Sequence, residues 1–168
     1  QNSITVTELA ADFEQVFSPE NGRLSGFFGW ADPQTLLVGI WLTPEEGDGP
    51  NIGHLAVLDI SSGQFSVLDK DRLLSSPPAL DPSGEIIAYA TFGGPMLYQA
   101  GTGPQPFRLD GYTGLDEFSP AMFNSPAWSP EGLELAWVVS GPNPGAAEGA
   151  WQSGVLVADI SRQATQWL

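Results

Sequence analysis

The 168-residue sequence has no cysteine, a single histidine, two methionines and only five lysines and arginines together. Without cysteine there is no disulfide framework and no thiolate chemistry, and one histidine excludes any metal site built on several imidazoles. Five cations cannot neutralise a run of phosphates. Against 20 acidic residues they leave a net charge of −15, and a body of that charge is repelled by DNA, RNA and anionic lipid alike. No 18 apolar residues run without interruption, so membrane insertion by a helix is not expected. What remains is apolar and rich in turns. Hydrophobic residues make up 42% and charged residues 15%, below the roughly 25% of an average domain, which argues against disorder. With 20 glycines and 15 prolines the chain must turn often and form few long helices, and an all-β domain is expected.

Self-similarity organises the rest. Three segments align on a proline turn followed by an apolar strand: 27–38, 76–89 and 125–137. The third is the clearest, Ser125-Pro126-Ala127-Trp128-Ser129-Pro130-Glu131-Gly132-Leu133-Glu134-Leu135-Ala136-Trp137, and its anchor Trp128 aligns with Leu80 and Trp30. A second block keeps the same register, because Leu55 to Ser61 recurs as Val155 to Ser161, with Asp59 and Asp159 in step. In Asp81-Pro82-Ser83-Gly84 and Ser129-Pro130-Glu131-Gly132 the polar residue accepts from the turn, proline fixes φ and glycine supplies a left-handed corner. The strands that follow, 86–92 and 133–139, are apolar on successive residues, as in a sheet covered on both faces. Third strands at 54–60, 96–100 and 154–160 and fourth strands at 64–68, 105–109 and 164–168 complete four antiparallel strands per period of about 50 residues, a propeller blade.

The Pro126 to Gly132 run, followed by Leu135-Ala136-Trp137 and the Val155 to Asp159 strand, resembles the WD40-like β-propeller repeat of the TolB type. The resemblance covers residues 27–168. It departs from the pattern where Gln34 and Thr35 replace the turn glycine, Leu80 replaces tryptophan and Ala100-Gly101 replaces Asp-Ile. It implies a partial β-propeller of three blades, 27–74, 75–124 and 125–168, after an N-terminal element at 1–26. It also implies that Trp30, Pro82, Gly84, Trp128, Pro130, Gly132, Asp59 and Asp159 are structural and mark no active site. Trp30, Trp128 and Trp137 are expected in the core between blades. Within 1–26, Ile4 to Thr7 alternates like an edge strand, and the spacing of Leu9, Phe13, Val16 and Phe17 predicts a short helix ending before Ser18-Pro19.

Candidate chemistry is sparse. His54 lacks a nucleophile elbow and is expected to be structural or merely exposed. Glu45, Glu46, Asp48 and Asn51 offer oxygen ligands for Ca²⁺, but their spacing is not that of an EF-hand, and a solvated turn is the simpler expectation. Asp69-Lys70-Asp71-Arg72 is expected to be a surface connector. Trp41 and Trp151 lie beside the long connections 43–53 and 141–153 and are the candidates for a binding surface. The expected function is a non-catalytic scaffold, without cofactor, that binds a protein partner or small ligand and forms part of a longer periplasmic or extracellular protein. Two alternatives are a substrate-gating propeller of a prolyl-oligopeptidase-like hydrolase encoded elsewhere, and a module that closes a ring by self-association, for example as a homodimer. A three-blade fan leaves apolar faces open, so missing blades of the same polypeptide or a partner should cover them.

Overall fold

A computed structural model describes residues 3–8, 13–48, 52–107, 122–142, 151–162 and 164–167. The chain forms two compact units, 1–70 and 71–168. The first holds a hairpin, β1 (Ile4–Glu8) and β2 (Phe13–Phe17), and a four-stranded sheet of β3 (Arg23–Asp32), β4 (Thr35–Trp41), β5 (His54–Asp59) and β6 (Gln64–Val67). The second holds two such sheets. One is β7 (Ala79–Leu80), β8 (Ile86–Thr91), β9 (Gly94–Gln99) and β10 (Gly103–Pro106). The other is β11 (Met122–Trp128), β12 (Glu134–Pro142), β13 (Trp151–Asp159) and β14 (Ala164–Trp167). Every sheet is an antiparallel meander in chain order, the strand plan of propeller blades, and the fold is all-β.

The repeat register is visible atom by atom. Trp128 pairs with Leu135, Leu80 with Ile87 and Trp30 with Leu36, so the three anchors are equivalent. In both longer turns glycine takes the left-handed corner, Gly84 at φ 80 and Gly132 at φ 71, and its N–H donates back to Asp81 or Ser129. The first sheet needs no such glycine. There β3 and β4 close directly at Asp32 and Thr35, and the Gln34 N–H donates to the Asp32 carboxylate at 2.7 Å. Asp59 and Asp159 also play one part twice. Each accepts from the hydroxyl and the N–H of the serine two residues on and from the next N–H, while the intervening Ile60 or Ile160 N–H donates to Gln34 or Leu133 O. The serine hydroxyl is the foremost cause that holds each carboxyl below its usual value.

Asp81 is the most heavily bonded of these turn acids. Its Oδ1 accepts from the N–H groups of Glu85 and Ile86, and its Oδ2 from the N–H and hydroxyl of Ser83. Burial pushes this carboxyl up, but the Ser83 hydroxyl and the three N–H donors outweigh it, so its pKa lies below the usual 3.8. A lowered folded pKa means stability that is complete above 3.8 and lost as the pH falls through the folded value. Asp81→Asn is therefore expected to cost about 2 kcal/mol at pH 7, on the scale of hydrogen bonds to a charged group. In urea titrations the gap to the parent protein should narrow at pH 3. An equal gap at both pH values would remove the carboxylate from the account.

Three sequence expectations need correction. Phe13 to Phe17 is a strand, not a helix: it pairs with β1 through Ile4 and Phe17, Val6 and Gln15, and Glu8 and Phe13. A helix would bury Val16 beside Phe17. The hairpin buries Phe17 in a cluster with Leu24, Leu36, Val38, Ile40, Ala56 and Leu58, packs Ile4 and Val6 beside it, and leaves Val16 58% exposed. Leu9 lies outside the described residues.

Trp30, expected in the core, is 50% exposed. Its counterpart Trp128 donates its indole N–H to Ala79 O on the preceding sheet of its own unit, at 3.2 Å. Within the first unit Trp30 has only a two-stranded hairpin ahead of its sheet, and β3 carries three register shifts that turn its side chains. The expectation for 133–139, apolar on both faces and covered on both, holds for one face only. Leu135, Trp137 and Val139 are buried with Phe123, Leu156, Ala88 and Ala90, whereas Met122, Val138 and Val155 on the opposite face remain exposed. The first two sheets do follow the continuous pattern, with Leu36 to Ile40 and Ile87 to Thr91 buried residue after residue.

Candidate functional site

The connection from β4 to β5 is tied down by side-chain hydrogen bonds at both of its described ends. It leaves the sheet at Trp41, forms a single 3-10 turn over Pro44–Asp48 and returns through Ile52 and Gly53 to His54. Residues 49–51 lie outside the described residues. Glu46 ties the departure down, because its Oε2 accepts from the N–H of Leu42 at 2.6 Å and of Thr43 at 3.3 Å. Its Oε1 meets His54 Nε2 at 3.2 Å, and His54 Nδ1 lies 3.2 Å from the main-chain oxygen of Asp69. Burial raises the Glu46 carboxyl, but the bonds from His54, Leu42 and Thr43 overcome it and leave its pKa below the usual value. The return is fixed by the Ser25 hydroxyl, which donates to Ile52 O.

This network assigns His54. It is buried, at 5% exposure, and its hydrogen-bond partners are a carboxylate and a main-chain carbonyl, so it clamps the loop onto the sheet. The Ca²⁺ candidates divide. Glu45 and Asp48 are exposed, both Glu46 oxygens are engaged within the loop, and Asn51 lies outside the described residues. Among the described residues no three acidic or histidine side chains gather into a group that could hold a metal ion. The connector 69–72 is not uniformly on the surface as expected, since Asp69 is buried at 2% exposure while Lys70 and Asp71 are exposed. The Asp69 carbonyl serves His54, and its N–H turns back toward Leu55 O.

Trp41 stands at the edge of this loop. The β3–β4 register sets Arg23 directly opposite it, and the Arg23 guanidinium carbon lies 4.5 Å from the indole centroid. Gly47 closes the arrangement: a Cβ there would meet the Arg23 guanidinium and touch the Trp41 ring, so a larger residue would shift the guanidinium from its place. A cavity of about 290 Å³ opens beside them, lined by Gly22, Arg23, Trp41, Leu42 and Thr43. Sequence reasoning reached Trp41 and missed Arg23, because the pairing depends on bulges in β3 that composition does not reveal. Trp151 opens β13 opposite Pro142, and the connection before it, 143–150, lies outside the described residues. Among the described residues no helix is long and apolar enough to cross a membrane.

No family model and no curated protein matches the chain. Solved structures do. Nearly all of the chain (99%) is similar to TolB from Acinetobacter baumannii, at 18% identity and TM-score 0.55, over 37% of that chain. It is similar to a TolB candidate from Agrobacterium tumefaciens at 14% identity and TM-score 0.59, covering 98% of this chain and 59% of that one. It is also similar to the hydrazine synthase of Kuenenia stuttgartiensis at 12% identity and TM-score 0.60, covering 99% and 47%. The chain thus spans less than two thirds of each of these proteins. At these identities the likeness concerns architecture, and the architecture is that of a partial β-propeller.

Proposed function

We propose that this chain is a non-catalytic propeller scaffold, exported as the repeat resemblance implies, that docks a protein partner or small ligand on the Trp41 surface of its first blade. The observation that carries the reading is the anchoring of the β4–β5 connection at its start, middle and end by Glu46, His54 and Ser25, which holds an indole and a guanidinium beside an open cavity. Loops on rigid sheets carry binding function, and a preorganised surface loses little entropy when a partner arrives. Trp41→Ala should lose at least tenfold in the capture of whatever the parent protein retains on an affinity column, with its melting temperature within a few degrees of the parent. Undiminished capture would end the reading. A second reading, self-association, is favoured by the exposed Phe27 and Trp30 of the first unit and the exposed Met122, Val138 and Val155 of the second. It requires light scattering to return a multiple of the chain mass.

A further inference from the structure

The geometry points to Arg23 as the recognition group for a carboxylate at the Trp41 surface, an inference that rests on the docking role proposed for that surface. Among the described residues the Arg23 guanidinium makes no hydrogen bond and no ion pair; its contact is the face of Trp41. That is notable in a chain with four acids for every cation. Arg162, by comparison, reaches the Asp159 carboxylate at 3.5 Å. The guanidinium carbon lies over the indole face, and its N–H donors are unspent among the described residues, free to meet two carboxylate oxygens side by side.

The surroundings narrow the ligand. Trp41 and the 38%-exposed Leu42 line the same cavity and offer an apolar wall, so the carboxylate should carry a short apolar group. At about 290 Å³ the cavity lies at the small end of the range for ligand sites. Glu45, Glu46 and Asp48 on the adjoining turn repel anions, and one arginine cannot balance a double charge. A single carboxylate is therefore favoured over a phosphate. Such a group comes from a free small acid or from the C-terminus of a peptide, and the site reads the chemistry they share.

The test follows the Trp41 indole N–H resonance of the full chain, assigned through Trp41→Phe, during titration with N-acetyl-L-leucine, N-acetyl-L-leucinamide and a five-residue peptide ending in leucine, as free acid and as amide. Saturable shifts with the acids, at least tenfold weaker with the amides, are expected. Arg23→Gln should lose that tenfold preference with an unchanged melting temperature. Arg23→Lys, which keeps the charge and loses the planar fork, should fall between. A peptide acid that binds tenfold more tightly than the small acid identifies a C-terminus as the source, and equal affinities identify the small acid. Equal affinity for acid and amide, an Arg23→Gln protein that still prefers acids, or no shift with any probe overturns the inference. If Trp41→Ala nevertheless abolishes capture on the column, the docking surface stands and only its carboxylate chemistry is lost.

Discussion

Trp137→Ala is expected to destabilise the second unit by about 3 to 5 kcal/mol, a large share of the stability of a small domain. Trp137 is fully buried at 0% exposure on the covered face of its sheet. Phe107 stacks on it with centroids 6.4 Å apart and planes at 29°, and Phe123 meets it edge-on at 6.0 Å and 85°. Truncation would remove the indole and leave a void lined by Leu135, Val139, Leu156 and the two phenylalanines, which the sheets cannot close without breaking their register. The indole N–H is buried with no acceptor among the described residues, so this side chain contributes through packing and its polar atom is a cost. Trp137→Phe should accordingly lose less than half as much. Urea unfolding followed by far-UV circular dichroism, which does not depend on the tryptophan removed, separates the two variants. Equal losses would mean that the N–H has a partner and that packing is the smaller part.

These residues also show what the sequence could and could not disclose. The Trp128 and Asp159 blocks were legible because each residue type has one backbone task, and the same task recurs 48 to 100 residues away with the same atoms. The N-terminal hairpin was misread because Leu9, Phe13, Val16 and Phe17 satisfy a helical period by spacing alone. Only pairing with Ile4 to Glu8, which spacing within 9–17 does not encode, makes the strand the lower-energy choice. Trp30 and Trp128 have the same sequence setting and different exposure, because exposure depends on what packs ahead of the sheet and not on the motif. At the candidate site, aromatic content and a long loop marked Trp41. The partnership with Arg23, the clamp through His54 and the close approach of Gly47 arise from register and main-chain proximity, which leave no pattern along the chain.

Gly53→Ala should cost about 2 to 5 kcal/mol, combining left-handed strain with a collision against main chain. Gly53 holds φ at 85, and a methyl there would lie 2.4 Å from Ser25 Oγ and 2.9 Å from the carbonyl carbon and oxygen of Ile40. The serine can rotate away at the loss of its bond to Ile52 O, but the Ile40 carbonyl belongs to β4 and cannot move without disturbing the β4–β5 ladder. Gly63→Ala is the control within the same unit. Its φ of 73 demands the same conformation, yet its nearest neighbours, on Phe17, are 3.6 Å away, so it should lose only the strain, about 1 kcal/mol. Ser25→Ala combined with Gly53→Ala should recover part of the loss and never all of it. Because Gly53 sets where the connection rejoins the sheet, its alanine variant should also loosen the turn that brings Gly47 to Arg23 and Trp41, and so weaken capture on the Trp41 surface beyond what the melting temperature predicts. If the two glycine variants unfold at the same urea concentration, main-chain proximity does not hold this loop, and the rigidity on which its binding role depends must come from Glu46 and His54 alone.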